Sequence, residues 1–105
     1  METETKAVKK VEIITNSVEL NEMKRVLDRL KVSGYSIIPG VTGMGDRGRV
    51  EGDEMTGVCT NVYLLVVCSE EKSLEVTEAM RPVIKRCGGI CLVSDATYLK
   101  HAANV

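Results

Sequence analysis

Glycines and arginines that could grip an anion are concentrated in one stretch of this 105-residue chain, VTGMGDRGRVEGDEMTG (residues 41–57), which holds five of its nine glycines. Gly43 and Gly45 flank a single residue, and missing side chains there let backbone N–H groups approach an anion closely. Arg47 and Arg49 follow, able to meet phosphate or carboxylate oxygens by paired hydrogen bonds. A second cluster places Gly88 and Gly89 directly after Lys85 and Arg86. Two such clusters in one short chain point to a phosphate-bearing ligand. Turn glycines alone would also explain each cluster, and neither the dinucleotide fingerprint nor the P-loop pattern is present.

Metal chemistry has weaker support. Cys87 and Cys91 span a helix end, a turn and a strand, while Cys59 and Cys68 lie nine residues apart on one strand and point to opposite faces. No C-x-x-C pair exists, and the cysteines read better as buried small apolar residues. His101 reads as a solvated tail residue. Glu51, Asp53 and Glu54 lack the alternate-ligand spacing of a calcium loop. Nothing assembles paired carboxylates, Cys-His or Ser-His on rigid elements, so the chain is not expected to be an enzyme.

Composition narrows the partners. A net charge of −1 with 28% charged residues argues against a broad basic face for nucleic acid. Tryptophan and phenylalanine are absent, which argues against stacking platforms for bases. The longest apolar run, VYLLVVC, is too short to span a bilayer. Free cysteines behind a polar start suit a reducing, cytoplasmic setting.

The elements that must position these residues follow from periodicity and punctuation. A polar lead-in over residues 1–8, expected to be flexible, precedes a short β-branched strand at 11–15. In NSVELNEMKRVLDRL, Asn16 or Ser17 can cap a helix whose buried stripe is Leu20, Met23, Leu27 and Leu30, with Gly34 as its stop. YSIIPGV is a second strand, interrupted by Pro39-Gly40. Residues 58–68 form a third strand, apolar at odd and even positions alike, so both its faces must be covered. Ser69 opens a second helix with Val76, Met80, Val83 and Cys87 inward, and Pro82 predicts a kink or a redirected last turn. Gly88-Gly89 ends it, and ICLVSDA is a fourth strand before a tail, TYLKHAANV.

The order β-α-β-β-α-β predicts one ferredoxin-like α+β domain over residues 1–105, a four-stranded antiparallel sheet with two helices on one face. The opposite face needs another subunit, so a homo-oligomer is expected.

The chain resembles the PII signalling family from about residue 9 to residue 100: in KKVEII, in the helix after it, in GYSII leading to VTGMGDRG at the base of that family's T-loop, and in GGICLVSDA. The resemblance implies homotrimers with a nucleotide in each cleft between neighbours. By position it implies nucleotide contacts from Gly43, Gly45 and Arg47 at the root of a T-loop over about residues 43–57. It further implies Ile14, Ser36, Leu64 and Val66 around the adenine, Gly88 and Gly89 along the phosphates, and Lys100 in the tail.

Departures from the family pattern shape the ligand. Nitrogen-sensing members hold Mg-ATP and 2-oxoglutarate with a glutamine and a lysine where this chain has Arg47 and, approximately, Thr60. The T-loop is shorter and carries no tyrosine to modify. Gly89 stands where the family has a lysine, which favours ADP or AMP over ATP. The chain is similar to short-loop, carboxysome-associated members that pair an adenine nucleotide with bicarbonate, and Gly45 with Arg47 is the candidate place for that anion. The implied function is a sensor that reports these ligands through its T-loop, expected to be mobile when free, to a protein target such as a transporter or a carboxysome component. The alternative is a metal-handling relative of CutA type using cysteines and His101.

Overall fold

Alternating burial along two neighbouring strands organises the molecule. In a computed structural model that describes residues 4–45, 48–50 and 60–101, with backbone alone at 45 and 48–50, the elements run in order. They are β1 (Thr5–Asn16), a 3-10 turn (Ser17–Glu19), α1 (Leu20–Arg29), β2 (Tyr35–Val41), β3 (Gly43–Gly45), β4 (Gly48–Val50), β5 (Asn61–Cys68), α2 (Glu70–Cys87) and β6 (Ile90–Leu99). The main sheet is antiparallel throughout, in the order β2-β5-β1-β6. The expected βαββαβ fold, with two helices on a four-stranded sheet, is the one observed.

Val11, Ile13 and Thr15 of β1 and Val62, Leu64 and Val66 of β5 are buried together with Met23, Val26 and Leu27 of α1 and Val76, Met80 and Val83 of α2. Because strand side chains alternate, the residues between them face the other way. That second face carries Glu12 and Ile14 of β1, Tyr63, Leu65 and Val67 of β5, Ser36 and Ile38 of β2, and Ile90 and Leu92 of β6. Neither α1 nor α2 covers it, and Ile38, Ile90 and Leu92 are 55%, 48% and 52% exposed. At its middle the Tyr63 hydroxyl donates to Glu12 Oε2 across 2.7 Å.

Several boundaries differ from expectation. β1 begins at Thr5, inside the expected lead-in, and β6 runs to Leu99, taking in the start of the expected tail. The two extensions pair with each other, from Thr5 opposite Leu99 onwards. Lys9 bridges to Asp95 and the Lys6 ammonium lies 5.7 Å from the centre of the Tyr98 ring, so polar cross-strand pairs hold a ribbon that no apolar alternation marks. β5 begins at Asn61; Val58 and Cys59 lie outside the described residues.

Asn16 does cap, accepting from the Val18 N–H, but one 3-10 turn precedes α1. α1 ends well before Gly34. Lys31 takes φ 59°, and Lys72 Nζ donates to the Leu30 carbonyl at 2.7 Å, satisfying a helix end from α2. Leu20 and Leu30 are only partly buried, and Val26 replaces them in the core. In α2 the Ser69 side chain accepts from the Lys72 N–H as expected. The helix continues through Pro82 to Cys87, so the redirected turn is absent. Pro82 is exposed, where water can satisfy the carbonyl that loses its partner.

Candidate functional site

At one end of the sheet, β1 gives way to α1, α2 turns into β6, and the chain passes through the glycine-rich stretch. Gly88 (φ 76°) and Gly89 (φ 106°) make the α2–β6 turn, both in the region that L side chains avoid. A Cβ on Gly89 would lie 2.2 Å from the Ile14 carbonyl oxygen and 3.0 Å from Thr15 Cα, so the turn is seated directly on the end of β1. The buried Thr15 hydroxyl donates to the Gly88 carbonyl at 2.8 Å, and the Gly88 N–H closes α2 on the Ile84 carbonyl at 2.7 Å. Glu19, 8% exposed, accepts from Arg86 Nε and Nη2 at 3.0 and 2.7 Å and from Cys87 Sγ at 3.1 Å. The Arg86 guanidinium, and after it the Cys87 thiol, holds the Glu19 carboxyl down at a pKa of about 2.

The glycine-rich stretch begins as a small hairpin. Gly43 pairs with Val50, Met44 with Arg49 and Gly45 with Gly48, leaving two residues between the strands. Arg47 is one of those two and, like residues 51–59 of the expected T-loop, lies outside the described residues. Just ahead of β5, the Ser17 N–H donates to the Thr60 carbonyl at 2.9 Å and the Ser17 and Thr60 hydroxyls also lie 2.9 Å apart.

At the other end of the sheet is a concavity of ≈ 950 Å³, among whose lining residues are Lys6, Ser33, Ser36, Leu65, Val67 and Tyr98. Lys100 belongs to this end, its N–H bonded to the Glu4 carbonyl at 2.6 Å.

The residues expected around a nucleotide therefore separate into two groups. Ile14, Gly88 and Gly89 meet at the first end, where Gly43 and Gly45 follow β2 on the opposite edge of the sheet, and Ser36 and Lys100 lie at the second. Ile90 lies opposite Ile14, and Lys100 is ten residues further along an extended strand, about 33 Å away at the usual rise. Within one chain the two groups do not meet.

Leu64 and Val66 need correcting. Both are 0% exposed under the helices, and neither reaches the open face or the concavity. Their neighbours Leu65 and Val67 do, since a slip of one residue moves every side chain of a strand to the opposite face. Alternation at period two could have found them had the pairing with β1 been known. Lys6 and Tyr98 of the β1/β6 ribbon were also missed, because both fall in stretches assigned to the lead-in and the tail.

For the metal alternative, no group of three or more His, Cys, Asp or Glu side chains suited to a metal exists among the described residues. Cys68, Cys87 and Cys91 are half-buried rather than fully buried, and none is in a disulfide. Burial pushes the Cys91 thiol up, and that of Cys68 also, against the opposing charge of Lys72. His101 is exposed, its ring centre 6.3 Å from that of Tyr98. Among the described residues no helix is long and apolar enough to cross a membrane.

The fold is a ferredoxin-like sheet with one face open, a double-glycine turn seated on the end of β1, a small glycine hairpin after β2 on the opposite edge, and a concavity at the other end of the sheet. The family model for nitrogen regulatory protein P-II matches residues 8–102, and the chain belongs to that family. Among solved structures it is similar to CPII, a nitrogen regulatory PII-like protein from Thiomonas intermedia, bound to ADP, AMP and bicarbonate. That likeness has 25% identity and a TM-score of 0.83 over 91% of this chain and 92% of that one. A PII-like signalling protein of Thermus thermophilus matches at 22% identity and TM-score 0.76 over 92% and 94%. The ATP complex of GlnK from B. subtilis matches at 20% and 0.62 over 86% and 82%; these last two likenesses speak to the fold alone. No curated protein matches the chain.

Proposed function

We propose that this PII-type signalling protein binds an adenine nucleotide, ADP or AMP before ATP, in clefts between neighbouring copies of a homotrimer. The carrying observation is the separation of the two residue groups: about 33 Å of strand divides Gly88-Gly89 from Lys100 in one chain. A second copy laid against the open face, with its apolar Ile38, Ile90 and Leu92, can bring one chain's glycine end to the next chain's concavity. In this reading Ser36, Leu65 and Val67 line the base pocket, Lys100 reaches the ligand from the same chain, and Ile14, Gly43, Gly45, Gly88 and Gly89 close on the sugar and phosphates from the other. The likeness to CPII, solved with ADP, AMP and bicarbonate, supports both the nucleotide and bicarbonate as second ligand, the latter beside Gly45, which Arg47 follows two residues on.

Such a protein regulates rather than catalyses. It reports its ligands through the stretch after Gly43 to a target protein in the cytoplasm, and a response to bicarbonate would place it in inorganic-carbon or carboxysome regulation. Calorimetric titration of ADP, AMP and ATP, each with and without bicarbonate, alongside light scattering, tests the reading. Saturable binding of one nucleotide per chain by a trimer is expected. A stable monomer, or no heat with any nucleotide, would refute it.

A further inference from the structure

Five consecutive residues at the end of β1 hold two distant parts of the candidate site. Thr15 grips the Gly88 carbonyl, Ser17 grips Thr60 through a backbone bond and a hydroxyl pair, and Glu19 clamps Arg86 and Cys87. There is little slack between them. Gly89 is packed against the Ile14 carbonyl and Thr15 Cα, and the Asn16 side chain pins the turn by accepting from the Val18 N–H at 2.9 Å. A shift of the Gly88-Gly89 turn must therefore move Thr15, and with it Ser17, two residues on.

We propose that Thr15 and Ser17 form a two-sided latch that passes ligand occupancy at the Gly88-Gly89 turn to Thr60, the residue between the glycine-rich stretch and β5. The inference rests on the nucleotide reading above and adds the route by which occupancy reaches the surface that a target reads. Ser17 touches no ligand in this scheme. It is a positioning residue, and removing its hydroxyl should separate binding from response. A ligand can bias Thr60 only by favouring one state of the latch over another.

Two measurements test this: ADP affinity by calorimetry, and amide hydrogen exchange at Thr60 and Asn61 with and without ADP, in wild type, Ser17→Ala and Thr60→Val. In wild type, ADP should change exchange at these amides by about fivefold or more, the lower end of ordinary coupling between sites. Ser17→Ala should bind ADP within about twofold of wild type while losing most of that change. Thr60→Val removes the same hydroxyl pair from the other side and should behave alike, which keeps the test open if one variant folds poorly. An unchanged exchange response in both variants, or no response in an ADP-binding wild type, overturns the latch and leaves the nucleotide site standing. Failure of wild type to bind ADP overturns both.

Discussion

Gly89 sits against the carbonyl of Ile14 so closely that any side chain at 89 would have its Cβ 2.2 Å from that oxygen. Backbone rather than a movable side chain is in the way, and φ is 106°. Gly89→Ala should therefore destabilise the protein by about 1–3 kcal/mol and push the turn off β1. Urea denaturation and an ADP titration read the two effects. A variant with wild-type stability and affinity would mean that the turn is not held in this way.

Leu64 and Leu65 are adjacent and face opposite sides of the sheet. Leu64→Ala opens a cavity among fully buried side chains and should cost about 2–5 kcal/mol in a denaturant titration. Leu65→Ala, on the open face, should cost much less and should instead weaken ADP binding. Similar stability losses with unchanged affinity in both would return the base pocket to other residues.

That contrast shows where sequence reasoning ran out. The order of elements was legible because Asn16, Ser69 and Gly88-Gly89 punctuate it and the helices bury stripes at regular spacing. The parity of β5 was not, since apolar residues stand at odd and even positions; Ile13 opposite Leu64 settles it, and that pairing is a long-range fact. The ends of β1 and β6 were hidden because Lys9–Asp95 and Lys6–Tyr98 stabilise them without an apolar pattern. The glycine turn was visible at 88 and 89, but its bond to Thr15, 73 residues away, had no local signature.

The Glu19 carboxyl, facing Arg86 and Cys87 with Glu22 also acting on Arg86, ties stability to acid. Its folded pKa of about 2 lies below the unfolded value, so its contribution is complete above about pH 4.5 and disappears as pH falls towards 2. With Arg86 52% exposed, that contribution is on the order of 1–3 kcal/mol. Glu19→Gln should lower the urea midpoint at pH 7, and the gap from wild type should narrow at pH 3. A gap independent of pH would assign the loss to packing.

The open face yields a prediction about assembly. Leu92→Glu and Ile38→Glu place charges where about 1 kcal/mol of apolar burial per side chain is otherwise available. Light scattering should show the proposed trimer falling to monomer while circular dichroism holds. A trimer that survives both changes would move the interface elsewhere.

The distance between the two ends of β6 also has a genetic meaning. If copies join head to tail, damage at Gly89 and damage at Ser36 in the same chain spoil two different sites. Two inactive proteins, one altered at each end, would then rescue each other when co-assembled, because some junctions inherit both undamaged ends. Random equal mixing makes about a quarter of the junctions whole, whereas neither parent alone contains any.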